Sequence, residues 1–298
     1  MRLVTRPDLD GLTCAVLLSR CETIDTIALV HPQEITDRRA EVGPDDVLAN
    51  LPYHPACGMW FDNHLLTDAR SVPPADFKGR YAQAPSAARV VYDHYAAAHP
   101  ELACYETLLA ETDRLDSAQL TLQDVVAPEG YVLLGFTLDG RTGLGSLHDY
   151  FRRLLPSVRD LPGEQVLALP EVRQRVTRMR EADHAFRETA LAHSRLDGNV
   201  IVTDFRSESS LPVGNRFLIY TLFPRANVSL RLQCGEAPGT VSVSAGRSIF
   251  DRSCRSNLGV LLSLYGGGGH PGAAACVLST QRADAAIGEI VAALKRNG

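Results

Sequence analysis

Apolar positions in the first half of the chain fall into short runs, and between the runs they recur at helical spacing. Arg2-Leu3-Val4 reads as a short buried strand, and after a polar break Leu12, Ala15, Val16, Leu17 and Leu18 follow one helix face. Residues 27–30 form a second strand ending in His31-Pro32, and 46–50 a third stopped by Leu51-Pro52. Residues 58–61 form a fourth, which delivers Asp62-Asn63-His64 to the same sheet edge. Helices are predicted around 85–92 and from about 101 to 117. Strands alternating with helices predict an α/β fold with a parallel sheet. In such a sheet the loops after the strands form the ligand crevice.

Further on, 134–143 reads as a helix breaking into a glycine-rich turn, and 156–170, with three prolines and one glycine, as a connection. From Glu171 to about Arg195 the pattern is strongly helical, with Val172, Val176, Met179, Phe186 and Ala190 on one stripe. Arg173, Arg175, Arg178 and Arg180 fall on the wetter faces, as an ordinary solvated surface. Strands then restart at 199–205, 217–223, 228–232 and 240–245, followed by a helix near 255–264. A glycine run, a strand over 273–278 and a closing helix near 282–295 complete the chain. The predicted organisation is a parallel-sheet domain over 1–155, a helical linker over 156–197 and a smaller α/β domain over 198–298.

A length of 298 residues favours two domains over one. A net charge of −5 argues against long duplex DNA as a partner but leaves room for a small anion in a local basic pocket. The seven cysteines contain no CxxC pair, which speaks against a zinc site or a disulfide framework and for the reduced thiols of a cytoplasm. No apolar run is long enough to span a bilayer, so no membrane partner is expected.

Against that background the turn Thr5-Arg6-Pro7-Asp8-Leu9-Asp10-Gly11 stands out, because it places two carboxylates one residue apart between the first strand and the first helix. Taken alone it is a capped helix in a solvated turn. With Asp62, His64 and Asp113 expected at the same edge, it becomes a candidate hard-metal site, since close carboxylates repel unless a cation lies between them. Two divalent ions sharing a carboxylate there could generate a hydroxide for attack on phosphorus. The second candidate is Gly266-Gly267-Gly268-Gly269-His270. Four consecutive glycines cost folding entropy, and their expected use is close backbone approach to an anion, with His270 adding a directed contact. A flexible hinge is the plainer alternative.

Asp8-Leu9-Asp10-Gly11, Asp62-Asn63-His64, Asp113 and the distant Gly-Gly-Gly-His together resemble the DHH phosphoesterase superfamily with its DHH-associated C-terminal domain. The resemblance covers nearly the whole chain. It implies a hydrolase of phosphoester or phosphoanhydride bonds, nano-RNase-like or exopolyphosphatase-like, using one or two Mn²⁺ or Mg²⁺ ions. Asp8, Asp10, Asp62 and Asp113 would be the metal ligands, and His64 would contact the scissile phosphate. Gly267, Gly268, Gly269 and His270, with Arg231, Asn215 or Arg216, would hold the rest of the substrate. Short oligonucleotides or dinucleotides are the first substrate class and polyphosphate the second; a homodimer is compatible with this reading.

Three positions depart from the family pattern. Arg6 or Val4 falls where many members carry a metal-binding histidine, Asn50 where an acid is expected, and Asn63 where the first histidine of the triplet stands. A guanidinium cannot ligate a cation, and an amide is an uncharged, weaker ligand. The departures leave three readings open: a single-metal enzyme, a rearranged site in which Arg6 touches phosphate, or a nucleotide-binding sensor of the same fold without turnover.

Overall fold

The computed structural model describes residues 1–66, 72–208, 210 and 213–297. Two compact units divide it, one formed by 1–119 with 128–178 and the other by 120–127 with 179–298.

In the first unit β1 (Arg2–Thr5), β2 (Thr26–Leu29), β3 (Asp46–Ala49), β4 (Met59–Asp62) and β5 (Gly79–Tyr81) form one parallel sheet in the order β2-β1-β3-β4-β5. The chain leaves β1 towards one neighbour and later returns to its other side. The carboxyl ends of β1 and β3 therefore flank a topological switch point, where such sheets bind ligands. Helix α1 (Leu9–Cys21) is buried at ten successive residues, Leu9 to Leu18. A helix apolar on all sides needs cover on all sides. The cover comes from the sheet and from helices later in the chain, after the short α2 (Pro32–Thr36): α3 (Ala87–Tyr95), α4 (Glu106–Asp116) and, beyond α5 (Leu122–Val126) and α6 (Gly130–Thr137), α7 (Leu147–Asp160). The opposite sheet face packs Val4, Leu48 and Trp60 against Ile35 and Leu51.

Residues 156–170, expected as a connection, are instead largely helical: the end of α7, then α8 (Gly163–Ala168) and the start of α9 (Pro170–His193). Pro162 and Pro170 mark helix starts, where the missing N–H is no loss, and Pro156 is accommodated inside α7. Arg175 also departs from expectation. It is 1% exposed, with its guanidinium 3.9 Å from the Tyr150 ring centroid and donating to the Leu144 carbonyl at 2.8 Å.

The second unit is built on β6 (Ser194–Asp197), β7 (Val200–Asp204), β8 (Val228–Cys234), β9 (Thr240–Arg247), β10 (Gly268–His270) and β11 (Ala273–Ser279). They form a mixed sheet in the order β10-β11-β9-β8-β7-β6, in which β7 and β8 pair in parallel and the other pairs are antiparallel. Strands β8 and β9 alternate buried and more open positions, the period of a sheet with one packed face. That face meets α11 (Leu258–Ser263) and α12 (Thr280–Arg296), which buries Ala283, Ala286, Ile287, Ile290, Val291 and Leu294 at helical spacing. The segment 217–223, expected as a strand, contains α10 (Leu218–Leu222). A five-residue apolar run fits either period. Here the Tyr220 hydroxyl fixes the helix to the sheet by donating to the Gly246 carbonyl at 2.7 Å.

Candidate active site

Asp8 follows β1 and caps α1, its Oδ1 accepting the Gly11 N–H at 2.9 Å. Gly11 is required by close approach: a Cβ there would lie 2.1 Å from the Arg6 carbonyl oxygen. The same Asp8 Oδ1 accepts from Asn50 Nδ2 at 2.9 Å, and Asp8 Oδ2 pairs with Arg6 Nε at 3.1 Å. Asn50 follows β3, fully buried, in a left-handed conformation with φ 59°. For a residue with a side chain this costs energy that the surroundings must supply. Asp62 ends β4, 1% exposed, with Oδ1 2.8 Å from His64 Nδ1. That hydrogen bond raises the His64 pKa above its ordinary value, against the opposing effect of burial, and the carboxylates of Asp62, Asp116 and Asp10 add to it. The imidazolium is thereby favoured beside a half-open edge.

Asp10 is turned inward. Both its oxygens are engaged at the start of α3, accepting the N–H groups of Ala87 at 2.9 Å and Ala88 at 2.7 Å. Burial, then the negative charges of Asp116 and Asp8, push its pKa well above the carboxylate range, and the two N–H groups only partly offset this.

Asp113 does not join the group. Its carboxylate accepts from Ser86 Oγ at 2.6 Å and from Arg89 Nε at 2.9 Å, which ties α4 to α3. The α4 carboxylate that joins the cluster is Asp116. Burial among its neighbours, then the Asp8 charge, push it up to about 6, while His64, Arg6 and a hydrogen bond with Asn63 pull the other way. The residue keeps an exposed edge all the same. Helical phase was the available signal. Thr112 faces α1, its hydroxyl 2.8 Å from that of Thr13, and Asp116 lies four residues further along the same side.

Asn63 donates to the Ala84 carbonyl at 3.1 Å. Its Oδ1, like that of Asn50, is buried with no hydrogen-bond partner among the described residues. Orphaned buried acceptors are uncommon and call for an explanation. Together with Asp8, Asp62 and Asp116 they are hard oxygen donors, the chemistry that suits Mn²⁺ or Mg²⁺. Among the described residues no group of three or more His, Cys, Asp or Glu side chains is arranged to hold a metal ion by itself.

In the second unit the glycine run is the edge strand β10 and its approach. Contrary to expectation, packing explains much of it. Gly266 has φ +77° and Gly269 φ +146°. A Cβ on Gly267 would lie 2.1 Å from the Ala275 carbonyl oxygen, and one on Gly269 2.6 Å from that of Ala273. Gly268 differs, since a Cβ there would meet nothing within 4 Å. Register places Gly268 opposite Ala275, Ala275 opposite Ser244, and Ser244 opposite Arg231. A row of small side chains thus runs from Gly268 to Arg231, about 14 Å across three strand spacings. Arg231 stacks over Phe205 at 5.3 Å from its ring centroid, and Arg216 over Phe217 at 4.8 Å. Asn215 Oδ1 accepts the Phe217 N–H at 3.0 Å, while its Nδ2 is buried without a partner among the described residues. His270 is exposed, with Nδ1 accepting the Gly272 N–H at 3.1 Å. A cavity of about 610 Å³ in this unit contains none of the expected residues, and its arginines are paired: Arg206 with Asp204 and Asp284, Arg195 with Asp197.

No family model matches the chain, and no curated protein does. Solved structures do match. A pGpG-specific phosphodiesterase, PggH from Vibrio cholerae, is 34% identical, with 100% of this chain and 99% of that one covered and a TM-score of 0.86. RecJ from Thermus thermophilus in complex with Mn²⁺ shares the fold at 15% identity and TM-score 0.59, covering 99% of this chain and 52% of that one. The DHH domain of a protein from a ribosomal-protein family shares it at 13% identity and TM-score 0.56, covering 99% of this chain and 87% of that one. With a carboxylate cluster at the switch point of its parallel sheet and a full-length relative at 34% identity, the chain belongs to the DHH phosphoesterase superfamily.

Proposed function

We propose that the protein is a divalent-cation-dependent phosphodiesterase of short oligonucleotides, with 5′-phosphorylated dinucleotides such as pGpG as its first substrates. The observation that carries the reading is the group of Asp8 and Asp62 at strand ends with Asp116 at the end of α4, and His64 hydrogen-bonded to Asp62. Similarity to a pGpG-specific enzyme over the full length supports the substrate class.

Asp8, Asp62, Asp116 and the amide oxygens of Asn50 and Asn63 would hold Mn²⁺ or Mg²⁺. When bound, such an ion polarises phosphoryl oxygens and lowers the pKa of water. The rest falls to the chain itself. Asp62 fixes the His64 ring, and the favoured imidazolium donates a hydrogen bond to a phosphate oxygen, a contact that strengthens as negative charge builds up there. Asp10 holds the starts of α1 and α3 together, and so positions the turn that carries Asp8. In the second unit, the row from Gly268 to Arg231 offers a low floor for a flat nucleoside, with a guanidinium at one end for a phosphate. All seven cysteines are free thiols, which agrees with a cytoplasmic setting. Among the described residues no helix is long and apolar enough to cross a membrane.

The amides at Asn50 and Asn63 favour one rival, a nucleotide-binding sensor without turnover. Purified protein, with and without Mn²⁺, against pGpG, other dinucleotides, longer oligonucleotides and polyphosphate separates the two. Mn²⁺-dependent cleavage of dinucleotides is expected. Tight binding of pGpG with no cleavage under any metal condition establishes the sensor instead.

A further inference from the structure

We infer that Arg6 stands as a fixed single charge where a second divalent cation would otherwise lie, so that the cluster takes one ion per chain. The inference concerns the site of the proposed phosphodiesterase but rests on ligand accounting, not on turnover. A pair of ions about 3.5–4 Å apart needs a bridging carboxylate and anionic ligands on both sides. The carboxylates here are mostly committed elsewhere. Asp10 gives both oxygens to the N–H groups of Ala87 and Ala88. Asp113 is held by Arg89 and Ser86. Asp8 Oδ1 already accepts from Gly11 and Asn50, and Oδ2 pairs with Arg6 at 3.1 Å. Bridging through Asp8 would require breaking that ion pair. Besides one contact from Asp8, what remains among the described residues is the second oxygen of Asp62, the Asp116 carboxylate and the two amide oxygens of Asn50 and Asn63, which bring no charge.

The Arg6 backbone is well fixed: its carbonyl packs against Gly11 too closely for any side chain, and Pro7 restricts the next residue. Its partly exposed guanidinium is held by the Asp8 pair at 3.1 Å. A guanidinium stays protonated at any working pH and offers no lone pair to a metal. It therefore neutralises part of the cluster and repels a second cation.

The test is Mn²⁺ titrated into the metal-free full chain, with calorimetry for the count and electron paramagnetic resonance for ion–ion coupling. The expected result is one Mn²⁺ per chain with an uncoupled six-line signal. Arg6→His, which replaces the charge with a ligand, should raise the count to two and produce a coupled spectrum. Arg6→Met, checked for folding by circular dichroism, should tighten the single site tenfold or more, which a merely structural arginine would not do. Two coupled ions in the original protein, or unchanged count and affinity in both folded variants, overturn the inference. Absence of pGpG cleavage with one Mn²⁺ bound overturns the phosphodiesterase reading and leaves this one standing. No Mn²⁺ binding at all overturns both.

Discussion

The carboxylate cluster of the first unit and the glycine strand of the second both depart from what a stable core requires, but for different reasons. Around Asp8 and Asp116, like charges approach one another, a non-glycine residue sits at φ 59°, and two amide oxygens lack partners. None of this helps packing. Along β10 the unusual residues are largely what packing demands, because positive φ or a neighbouring carbonyl leaves no room for a side chain at Gly266, Gly267 and Gly269. An unusual composition therefore points to function only after the backbone has been consulted. By that measure Gly268, whose surroundings are open, is the glycine that packing does not explain.

The largest effect is expected at Gly267. An alanine Cβ there would lie 2.1 Å from the Ala275 carbonyl oxygen and 2.4 Å from Cys276 Cβ, so β10 must shift or detach from β11. Gly267→Ala is expected to cost about 2–4 kcal/mol in urea unfolding, the range of a serious steric insertion. A loss below about 0.5 kcal/mol would mean that the glycines do not serve the backbone.

A middle-sized effect, of opposite sign, is expected at Asp116. Its folded pKa of about 6 lies above the ordinary 3.8, so between these values the folded chain binds the proton more firmly than the unfolded chain. Stability from this group is therefore full below about pH 4 and declines as pH rises towards about 6. Asp116→Asn removes that decline. At pH 7 the variant should be more stable by about 1 kcal/mol, since the exposed edge of the residue reduces the roughly 3 kcal/mol that the whole shift would represent. The same variant should bind Mn²⁺ at least tenfold more weakly. His64 adds a decline of the same sign at higher pH, which the variant retains. Thermal melts from pH 4 to 8 on metal-free protein check both. A variant less stable at pH 7 than at pH 4, with the original slope, would show that the cluster is not strained by charge.

Four strands of the first unit, β1 to β4, were legible because they are short apolar runs followed by polar or proline-bearing turns, a signal that needs no tertiary information. Strand β5, three residues long and only partly buried, was not, and neither were some other short elements. The residues of α10 suit a strand as well as a helix until Tyr220 finds its partners on the sheet. Arg175 reads as surface by its charge, whereas contacts such as the Tyr150 ring and the Leu144 carbonyl make its burial tolerable. Asp113 and Asp116 are equally acidic in a string of letters. What separates them is the direction in which the last turn of α4 points, and Arg89 takes the first of the two.

The smallest change in stability, and the sharpest in specificity, is expected at Gly268. Valine is at home in an edge strand, and its Cβ meets nothing within 4 Å, so Gly268→Val should unfold within about 0.5 kcal/mol of the original protein. If the row through Ala275 and Ser244 to Arg231 is the floor on which a nucleoside lies, the branched side chain obstructs one end of it. The expected outcome is a KM for pGpG raised about tenfold, equivalent to about 1.4 kcal/mol. Hydrolysis of a small ester such as p-nitrophenyl phenylphosphonate should be unchanged, because it has no second nucleoside to place. His270→Ala should show the same split, since the ring is exposed and, among the described residues, accepts a hydrogen bond from the Gly272 N–H. Contacts remote from the scissile bond act by positioning it, so some loss of kcat on the dinucleotide is expected as well. Equal losses on the large and the small substrate, or none on either, would remove the glycine strand from substrate binding and leave its composition to packing alone.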